Sequence, residues 1–266
     1  MTQQTAPFTA ANKAVWEASA ALHGQGAEWD RLLEQAARPG FSVLDQELTD
    51  TIRALGLSGK RAVQIGCNNA RELLSLAALG LVPAAGIDQS GAFLGQAGQL
   101  AQAAGLQPRF IEADIYDLPA DVGVFDVALI TIGVLNWMPD LDRFFEIVAG
   151  LLGAGGQVLV YETHPVMEMF DPASATPHQP AFSYFRAEPL IDEGLITYDG
   201  IDHGTGPAGY WFIHPLGKIV MACVRAGLAI RCLKEFGYSI REPQYDIYEG
   251  QAAQIPMSFL LHAAKA

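Results

Sequence analysis

Cysteine and long apolar runs are scarce in this sequence. Its 266 residues contain three cysteines, Cys67, Cys223 and Cys232, which lie far apart without the CxxC or Cys/His spacing of a zinc site. Cysteines used in this way indicate a reducing compartment, so we expect a cytoplasmic protein without a zinc site. No stretch supplies the roughly 18 uninterrupted apolar residues of a membrane-spanning helix, and the N-terminus lacks the basic and apolar pattern of a signal peptide. We therefore expect no association with a membrane.

Positive charge is also scarce, since 16 Lys and Arg stand against 29 Asp and Glu, a formal net charge of -13. Such a balance repels phosphate backbones and argues against general nucleic-acid binding. Hydrophobic residues, in contrast, make up 50% of the chain, and only 17% of the residues are charged. A large buried core is therefore available, and the apolar composition is compatible with a homodimer.

The clearest local pattern is a strand, a tight turn, a helix and a second strand. The apolar run 62–65 ends abruptly at Gly66, small and polar residues follow, and 71–79 is rich in strong helix formers with a leucine stripe. The next strand, 82–87, ends on Asp88. A carboxylate at the carboxyl end of the second parallel strand is where a nucleotide-type ligand presents its ribose hydroxyls.

Strands and helices continue to alternate along the chain to residue 162. Further strands are predicted at 108–113, 126–131 and 157–162, and helices at 90–104 and 139–152, the latter starting at Pro139 and followed by a glycine-rich turn at 153–156. This alternation predicts an α/β fold of right-handed βαβ units, with a parallel sheet covered by helices on both faces. Towards the C-terminus, 215–227 is predicted to be helical, 229–236 extended and 256–263 a final strand.

Three parts of the chain differ in pattern. Residues 1–58 are interpreted as a helical N-terminal cap, because two Ala-rich helices and a third helix over 43–55 precede the first strand. Residues 163–213 break the alternation with many Pro, Gly, His and aromatic residues and are too long for an ordinary connection. We predict that they form a lid or substrate-binding insertion, which leaves 59–162 and 214–266 as the core.

The turn after the first strand carries the most specific motif. Its sequence, Val63-Gln64-Ile65-Gly66-Cys67-Asn68-Asn69-Ala70, resembles the hydrophobic-x-hydrophobic-G-x-G-x-G motif of class I S-adenosylmethionine-dependent methyltransferases of the small-molecule type. Asn68 and Ala70 stand in place of the second and third glycines. The resemblance covers residues 60–165 well and the C-terminal helix and strands more loosely. It implies a doubly wound, Rossmann-like, mostly parallel seven-stranded sheet in the order 3-2-1-4-5-7-6, with the last strand antiparallel.

The same resemblance implies a binding site for S-adenosylmethionine. In the family, an acid at the position of Asp88 takes both ribose hydroxyls, and an acid at the position of Asp114 faces the adenine amino group. The position of Ile115 packs on the adenine ring, and the segment 131–133 lies beside the sulfonium. The complete set implied to bind the cofactor is Gly66, Cys67, Asn68, Asp88, Gln89, Asp114, Ile115, Thr131 and Ile132.

The acceptor side is predicted from histidines and aromatic residues. His164 directly follows the fifth strand and His203 lies in a glycine-rich, aromatic stretch, so both are candidates for a general base. Candidate substrate contacts are Trp16, Tyr184, Tyr210, Trp211 and His214, with Tyr198 as a further lid residue. The expected reaction is metal-independent transfer of a methyl group to an oxygen or nitrogen of a small organic molecule by in-line displacement.

Two other functions stay open. A nicotinamide-dependent oxidoreductase also needs an acid near Asp88, but its fingerprint requires glycines at three turn positions that hold Gly66, Asn68 and Arg71 here. A non-catalytic member of the fold would bind the cofactor, or nothing, and act as a sensor or partner protein. The two acids Asp88 and Asp114, placed after successive strands, favour a working cofactor site over both alternatives.

Overall fold

The fold was analysed in a computed structural model that describes residues 5–197, 201 and 203–266. The predicted lid residue Tyr198 lies outside the described residues. The helices are α1 Ala6–His23, α2 Gly26–Ala36, α3 Gln46–Ala54, α4 Arg71–Ser75, α5 Gly91–Ala103, α6 Leu141–Gly150 and α7 Leu216–Arg225. The strands are β1 Arg61–Ile65, β2 Val82–Asp88, β3 Arg109–Glu112, β4 Phe125–Thr131, β5 Leu152–Thr163, β6 Leu190–Gly194, β7 Thr205–Trp211, β8 Leu228–Phe236 and β9 Ser258–Lys265.

A seven-stranded sheet runs in the order β3-β2-β1-β4-β5-β9-β8. Strands β1 to β5 are parallel to their neighbours, whereas β9 is antiparallel to both β5 and β8. Counted within this sheet alone, the order is 3-2-1-4-5-7-6, which confirms the predicted α/β fold and its antiparallel last strand. Strands β6 and β7 form a separate two-stranded sheet inside the predicted lid.

The core lies on both faces of the central strands, because successive side chains of a strand point to opposite faces. On one face, Val63 and Ile65 of β1 belong to a buried cluster with Phe144 of α6 and Ile219 of α7. On the other face, Ala62 packs in a cluster with residues of α3 and α4. Burial of each large apolar side chain contributes about 1.5–3 kcal/mol, so the two clusters hold the carboxyl ends of the strands firmly in register.

Two predicted boundaries differ from the structure. The helix expected to start at Pro139 starts instead at Leu141, because the Asp140 side chain accepts a hydrogen bond from the Arg143 N–H (3.0 Å) and caps it. The glycine-rich turn expected at 153–156 belongs to β5, where the pairing with β4 skips from Leu152 to Gln157. The extra residues are accommodated as an irregularity in the strand pairing, and the strand continues through them.

A helix that crosses a bilayer needs about 20 predominantly apolar residues. Within the described ranges 5–197, 201 and 203–266, no helix combines the length and the apolar character that crossing a bilayer requires.

Candidate functional site

A cleft of about 740 Å³, its open mouth included, lies at the carboxyl ends of β1, β2 and β4. The strand order reverses between β1 and β4, so the cleft lies at the topological switch point where α/β sheets bind ligands. Seven of the nine residues predicted to bind the cofactor line it: Gly66, Asn68, Asp88, Gln89, Asp114, Ile115 and Ile132. The other two, Cys67 and Thr131, line a second cavity of about 430 Å³ that shares Gly66, Asn68 and Ile132 with the cleft.

The turn after β1 keeps a left-handed backbone at all three positions of the glycine motif. The φ angles are +62° at Gly66, +50° at Asn68 and +61° at Ala70. A Cβ atom at Gly66 would lie 2.7 Å from Val134 Cγ2, so glycine is required there by close approach as well as by φ. Asn tolerates this conformation, whereas Ala adopts it at a cost of about 1–2 kcal/mol. The backbone at Asn68 and Ala70 therefore keeps a left-handed conformation, although the second and third glycines of the motif are replaced there.

Asp88 ties the turn after β1 to the start of α5. Its Oδ2 accepts a hydrogen bond from the Asn68 N–H (2.7 Å) and its Oδ1 accepts one from the Ser90 N–H (2.9 Å). Burial raises the pKa of the Asp88 carboxyl. Hydrogen bonds from the N–H groups of Ser90, Asn68 and Gln89 reduce this increase without cancelling it. Because each carboxylate oxygen can accept a second hydrogen bond, Asp88 is fixed in place with capacity left for a ligand.

The next strand end carries Asp114 and Ile115 into the same cleft. Asp114 Oδ1 accepts a hydrogen bond from the Tyr116 N–H (3.0 Å), and the Tyr116 hydroxyl donates to the Asp140 carbonyl (2.9 Å). Gln89, after β2, lies against α1, where its amide can donate to the Thr9 carbonyl (3.0 Å) and accept from the Lys13 N–H (3.2 Å). The N-terminal helix is thereby bound to the rim of the cleft.

The loop after β4 is held by two buried polar side chains. Glu162, at the end of β5, accepts hydrogen bonds from the N–H groups of Gly133 and Leu135, and burial raises the pKa of its carboxyl to about 8 against the effect of these donors. Gln64 donates to the Thr131 hydroxyl (3.1 Å) and accepts from the Leu73 N–H (2.9 Å), which links β4 to α4 through β1. These contacts fix the left-handed backbone at Gly133, with a φ of +87°.

Aromatic side chains cover one side of the cleft. Trp16 and Trp137 both line it and meet edge to face, with ring centroids 5.6 Å apart. Trp211 packs behind Trp137 at a centroid distance of 4.8 Å, and its Nε1 donates to Glu168 Oε2 (2.5 Å). Of the predicted substrate contacts, only Trp16 thus reaches the cleft directly, while Trp211 supports its wall.

Four other predicted residues have structural partners elsewhere. The Tyr184 hydroxyl accepts a hydrogen bond from the Leu216 N–H (2.9 Å) at the start of α7, and the Tyr210 ring packs edge-on against Phe8. His214 Nε2 lies 2.8 Å from the Met138 carbonyl, and burial, followed by Lys218, lowers its pKa to about 4, so the ring is neutral. His203 is exposed just before β7. The structure brings none of the four to the cleft.

His164, the other candidate base, is buried beside β5 and also lies away from the cleft. Its Nδ1 accepts from the Val166 N–H (3.1 Å), and its Nε2 is 2.9 Å from Glu235 Oε1 without good hydrogen-bond alignment. Burial lowers the pKa of His164, while Glu235 raises it. These contacts explain His164 as a structural residue at the end of the strand.

Sequence reasoning missed Trp137 in the cleft and Arg71 and Arg241 in the second cavity. Trp137 follows the Thr131–Ile132–Gly133 segment closely. Its position after the fourth strand could therefore have indicated that it lies at the cleft. Arg241 lies on an irregular segment far along the chain, and no local pattern connects it with β1.

Comparisons with known proteins agree with this geometry. Residues 63–160 match a family model described as a methyltransferase domain. An S-adenosylmethionine-dependent methyltransferase from Mesorhizobium loti is 21% identical over 81% of this chain and 96% of that chain, with a TM-score of 0.53. Another from Clostridium acetobutylicum ATCC 824 is 12% identical over 90% of this chain and 100% of that chain, with a TM-score of 0.58.

A third solved structure with this fold is magnesium protoporphyrin IX methyltransferase from Synechocystis PCC 6803 with bound SAH. It is 16% identical over 91% of this chain and 89% of that chain, with a TM-score of 0.52. At these identities the solved structures establish a shared fold. Residues 63–160 are therefore similar to a methyltransferase domain, and the chain shares the fold of the solved S-adenosylmethionine-dependent methyltransferases.

Proposed function

We propose that this protein transfers a methyl group from S-adenosylmethionine to an oxygen or nitrogen of a small organic molecule, without a metal ion. The observation that carries the proposal is the joint position of Asp88 and Asp114, which lie at the carboxyl ends of neighbouring strands and line one cleft at the switch point of the sheet. The family match over residues 63–160 supports the same cofactor.

The residues of the cleft fit an adenosine-containing ligand. Asp88 is fixed by two backbone N–H groups and retains acceptor capacity for ribose hydroxyls, to which a carboxylate bonds with about 1.5–3 kcal/mol per hydrogen bond. Asp114 and Ile115 supply an acceptor and an apolar surface for the adenine.

When bound, the cofactor supplies an electrophilic methyl group on a sulfonium. The chain's part in the reaction is then to hold an acceptor in line with that group, and such positioning can contribute about 7–11 kcal/mol. Trp16 and Trp137 provide rigid aromatic walls against which a flat acceptor can lie, and aromatic faces also stabilise cations. The buried Glu162 keeps the loop after β4 in a fixed shape next to them.

A small acceptor is favoured over nucleic acid because the net charge of -13 repels phosphates.

Within the described part of the chain, no three His, Cys, Asp or Glu side chains are arranged to hold a metal ion. The described cysteines, Cys67, Cys223 and Cys232, are unpaired thiols, in keeping with the cytoplasmic location that we propose.

The test is incubation of the protein with methyl-labelled S-adenosylmethionine and a panel of small hydroxyl- and amine-bearing metabolites, with and without EDTA. We expect one acceptor to gain a methylene unit in mass, with stoichiometric S-adenosylhomocysteine, equally in both conditions. Failure of every acceptor together with turnover of NADH would contradict the proposal and favour an oxidoreductase.

A further inference from the structure

Trp137 lines the cleft and is held in place by several other segments of the chain. Its ring meets Trp16 and Trp211 edge to face, with centroids 5.6 Å and 4.8 Å away. Its backbone carbonyl accepts a hydrogen bond from Asn12 Nδ2 (3.3 Å), and its backbone N–H donates to the Val134 carbonyl (3.1 Å). Contacts from α1, from β7 and from the loop after β4 therefore fix the direction of the indole before a ligand binds.

The indole N–H of this fixed ring is available to a ligand. In the residues that the structure describes, the hydrogen bonds of Trp137 are made by its backbone alone, and its side chain is half-buried at the cleft. Trp211 differs, because its Nε1 donates to Glu168 Oε2 (2.5 Å). An indole N–H is a donor only, and a shielded one usually has a partner. The Trp137 N–H therefore indicates a ligand atom that accepts a hydrogen bond.

The space beside Gly133 has room for such an atom. A Cβ atom built on Gly133 would lie 4.0 Å from Trp137 Nε1 and 3.5 Å from Trp211 Cη2, which are ordinary contact distances. A ligand atom fits in the same space, and a small displacement towards Nε1 brings it to the roughly 2.7–3.2 Å of a hydrogen bond from an N–H group.

This donor lies at the opposite end of the cleft from the two acids. Asp114 follows β3 and Asp88 ends β2, whereas Gly133 and Trp137 follow β4, on the far side of β1 in the sheet. With adenosine at the two acids, as proposed above, the end of the cleft at Gly133 and Trp137 is the end at which an acceptor meets the cofactor.

A hydrogen-bond donor at this end distinguishes oxygen from protonated nitrogen. The oxygen of a hydroxyl, carbonyl or carboxylate group accepts a hydrogen bond. An aliphatic amine is an ammonium ion at neutral pH, as the lysine side chain is, and an ammonium ion only donates. The Trp137 N–H therefore matches an oxygen and leaves a cationic amine without an acceptor at this position.

We propose that Trp137 Nε1 donates a hydrogen bond to an oxygen atom of the methyl acceptor, and that the protein thereby selects oxygen-bearing acceptors over cationic amines. The inference rests on the proposed function and deepens it, because it names the chemical class of the acceptor. Trp137 is then a residue that binds the acceptor and determines specificity. Trp211, which Glu168 holds through its own N–H, is a positioning residue for the Trp137 ring.

The donor can be observed directly, because the chain has only four tryptophans. In proton–nitrogen correlation spectra of the isotopically labelled full chain, each indole N–H gives one signal, and single Trp→Phe substitutions assign the signals. The protein is saturated with S-adenosylhomocysteine and titrated with benzyl alcohol or with benzylamine, a probe of nearly the same shape that is cationic at neutral pH. Trp29, buried against α5, is the internal control.

We expect benzyl alcohol to move the Trp137 indole proton downfield and to leave the Trp29 signal in place, whereas benzylamine moves neither. Trp137→Phe keeps an aromatic ring without the donor and should weaken benzyl alcohol about two- to tenfold, whereas the matched control Trp29→Phe should not. The shift in the wild type decides the inference even where a variant is unstable, because three assigned signals identify the fourth.

A Trp137 signal that neither probe moves, or that benzylamine moves at least as far as benzyl alcohol, would overturn the inference. A shift of the Trp16 signal in place of the Trp137 signal would also overturn it, since the oxygen would then lie at the other indole of the cleft. Absence of S-adenosylhomocysteine binding would instead refute the proposed function. The same titrations on the free protein would still decide whether Trp137 binds an oxygen.

Discussion

Asn12 and Tyr210, 198 positions apart, are hydrogen-bonded to each other in both directions. The Tyr210 N–H donates to Asn12 Oδ1 (2.7 Å), and Asn12 Nδ2 donates to the Tyr210 carbonyl (3.1 Å) and, more weakly, to the Trp137 carbonyl (3.3 Å). Asn12 is 1% exposed, so these bonds are shielded from water. One side chain thus joins the N-terminal helix α1 to strand β7 and to the aromatic wall of the cleft.

Replacement of this side chain tests its role in stability. Asn12→Ala leaves the Tyr210 N–H and carbonyl without these partners, and we expect a loss of about 1–3 kcal/mol in the free energy of unfolding. Urea unfolding measures it. Gln99→Ala, an exposed position on α5, serves as a control with an expected change below about 0.5 kcal/mol. Equal effects of the two substitutions would contradict the role assigned to Asn12.

The close approach at Gly66 gives a second prediction. Gly66→Ala introduces both a strained φ and a methyl group 2.7 Å from Val134 Cγ2, and we expect destabilisation of about 2–4 kcal/mol. Gly105→Ala has a similar φ of +66° with nothing within 4 Å of the new methyl group, so it should cost only about 1–2 kcal/mol. Thermal unfolding of the two variants compares them. If Gly105→Ala is at least as harmful, contact with Val134 is not the reason for glycine in the turn.

The raised pKa of the buried Glu168 carboxyl leads us to predict an unusual dependence of stability on pH. Burial raises the pKa of its carboxyl to about 8, the Trp211 N–H lowers it, and Glu242 and Glu162 raise it further. Because the folded protein holds this proton more tightly than the unfolded chain, the stabilisation is complete below about pH 4.5 and is lost as the pH rises towards 8. The expected slope is at most about 1.4 kcal/mol per pH unit for this group.

Glu168→Gln keeps an acceptor for Trp211 and removes the titration. We expect the variant to lose part of the pH dependence between 5.5 and 8 and to be more stable than the wild type at the upper end, in urea titrations at several pH values. Glu188→Gln, at an exposed position just before β6, is the control and should follow the wild type. A Glu168→Gln curve that parallels the wild type throughout would argue against a protonated Glu168.

The sheet and the cleft at its switch point were predictable because they depend on short-range patterns. Asp88 is the last residue of β2 and Asp114 lies two residues after β3. Parallel strands bring their carboxyl ends to one edge, so the shared cleft of these two acids follows from strand order. The motif residues Asn68 and Ala70 also keep the backbone shape expected of glycines, which sequence alone does not reveal.

The residues expected to contact an acceptor were harder to place from the sequence, because side-chain direction in residues 163–213 depends on contacts between distant segments. Tyr184 and His214 have the residue types of a substrate site, but each satisfies a backbone group of another segment. Arg241 is the opposite case, because its sequence context gives no sign of a site although the residue lines the second cavity. It lies in an irregular segment and reaches the turn after β1 through the tertiary fold. Aromatic and histidine content therefore led to the prediction of a lid without identifying which side chains line the cleft.

The most direct test of the account is calorimetric binding of S-adenosylhomocysteine and of NADH to the wild type, Asp88→Ala and Asp142→Ala, with urea unfolding to confirm that each variant is folded. Asp142 is exposed, 51% at its side chain, and pairs with Arg225, so its loss should not affect the cleft. We expect the wild type and Asp142→Ala to bind S-adenosylhomocysteine alike, and Asp88→Ala to bind it about ten to a hundred times more weakly. Undiminished affinity in a folded Asp88→Ala, or binding of NADH alone, would contradict the placement of adenosine across this cleft.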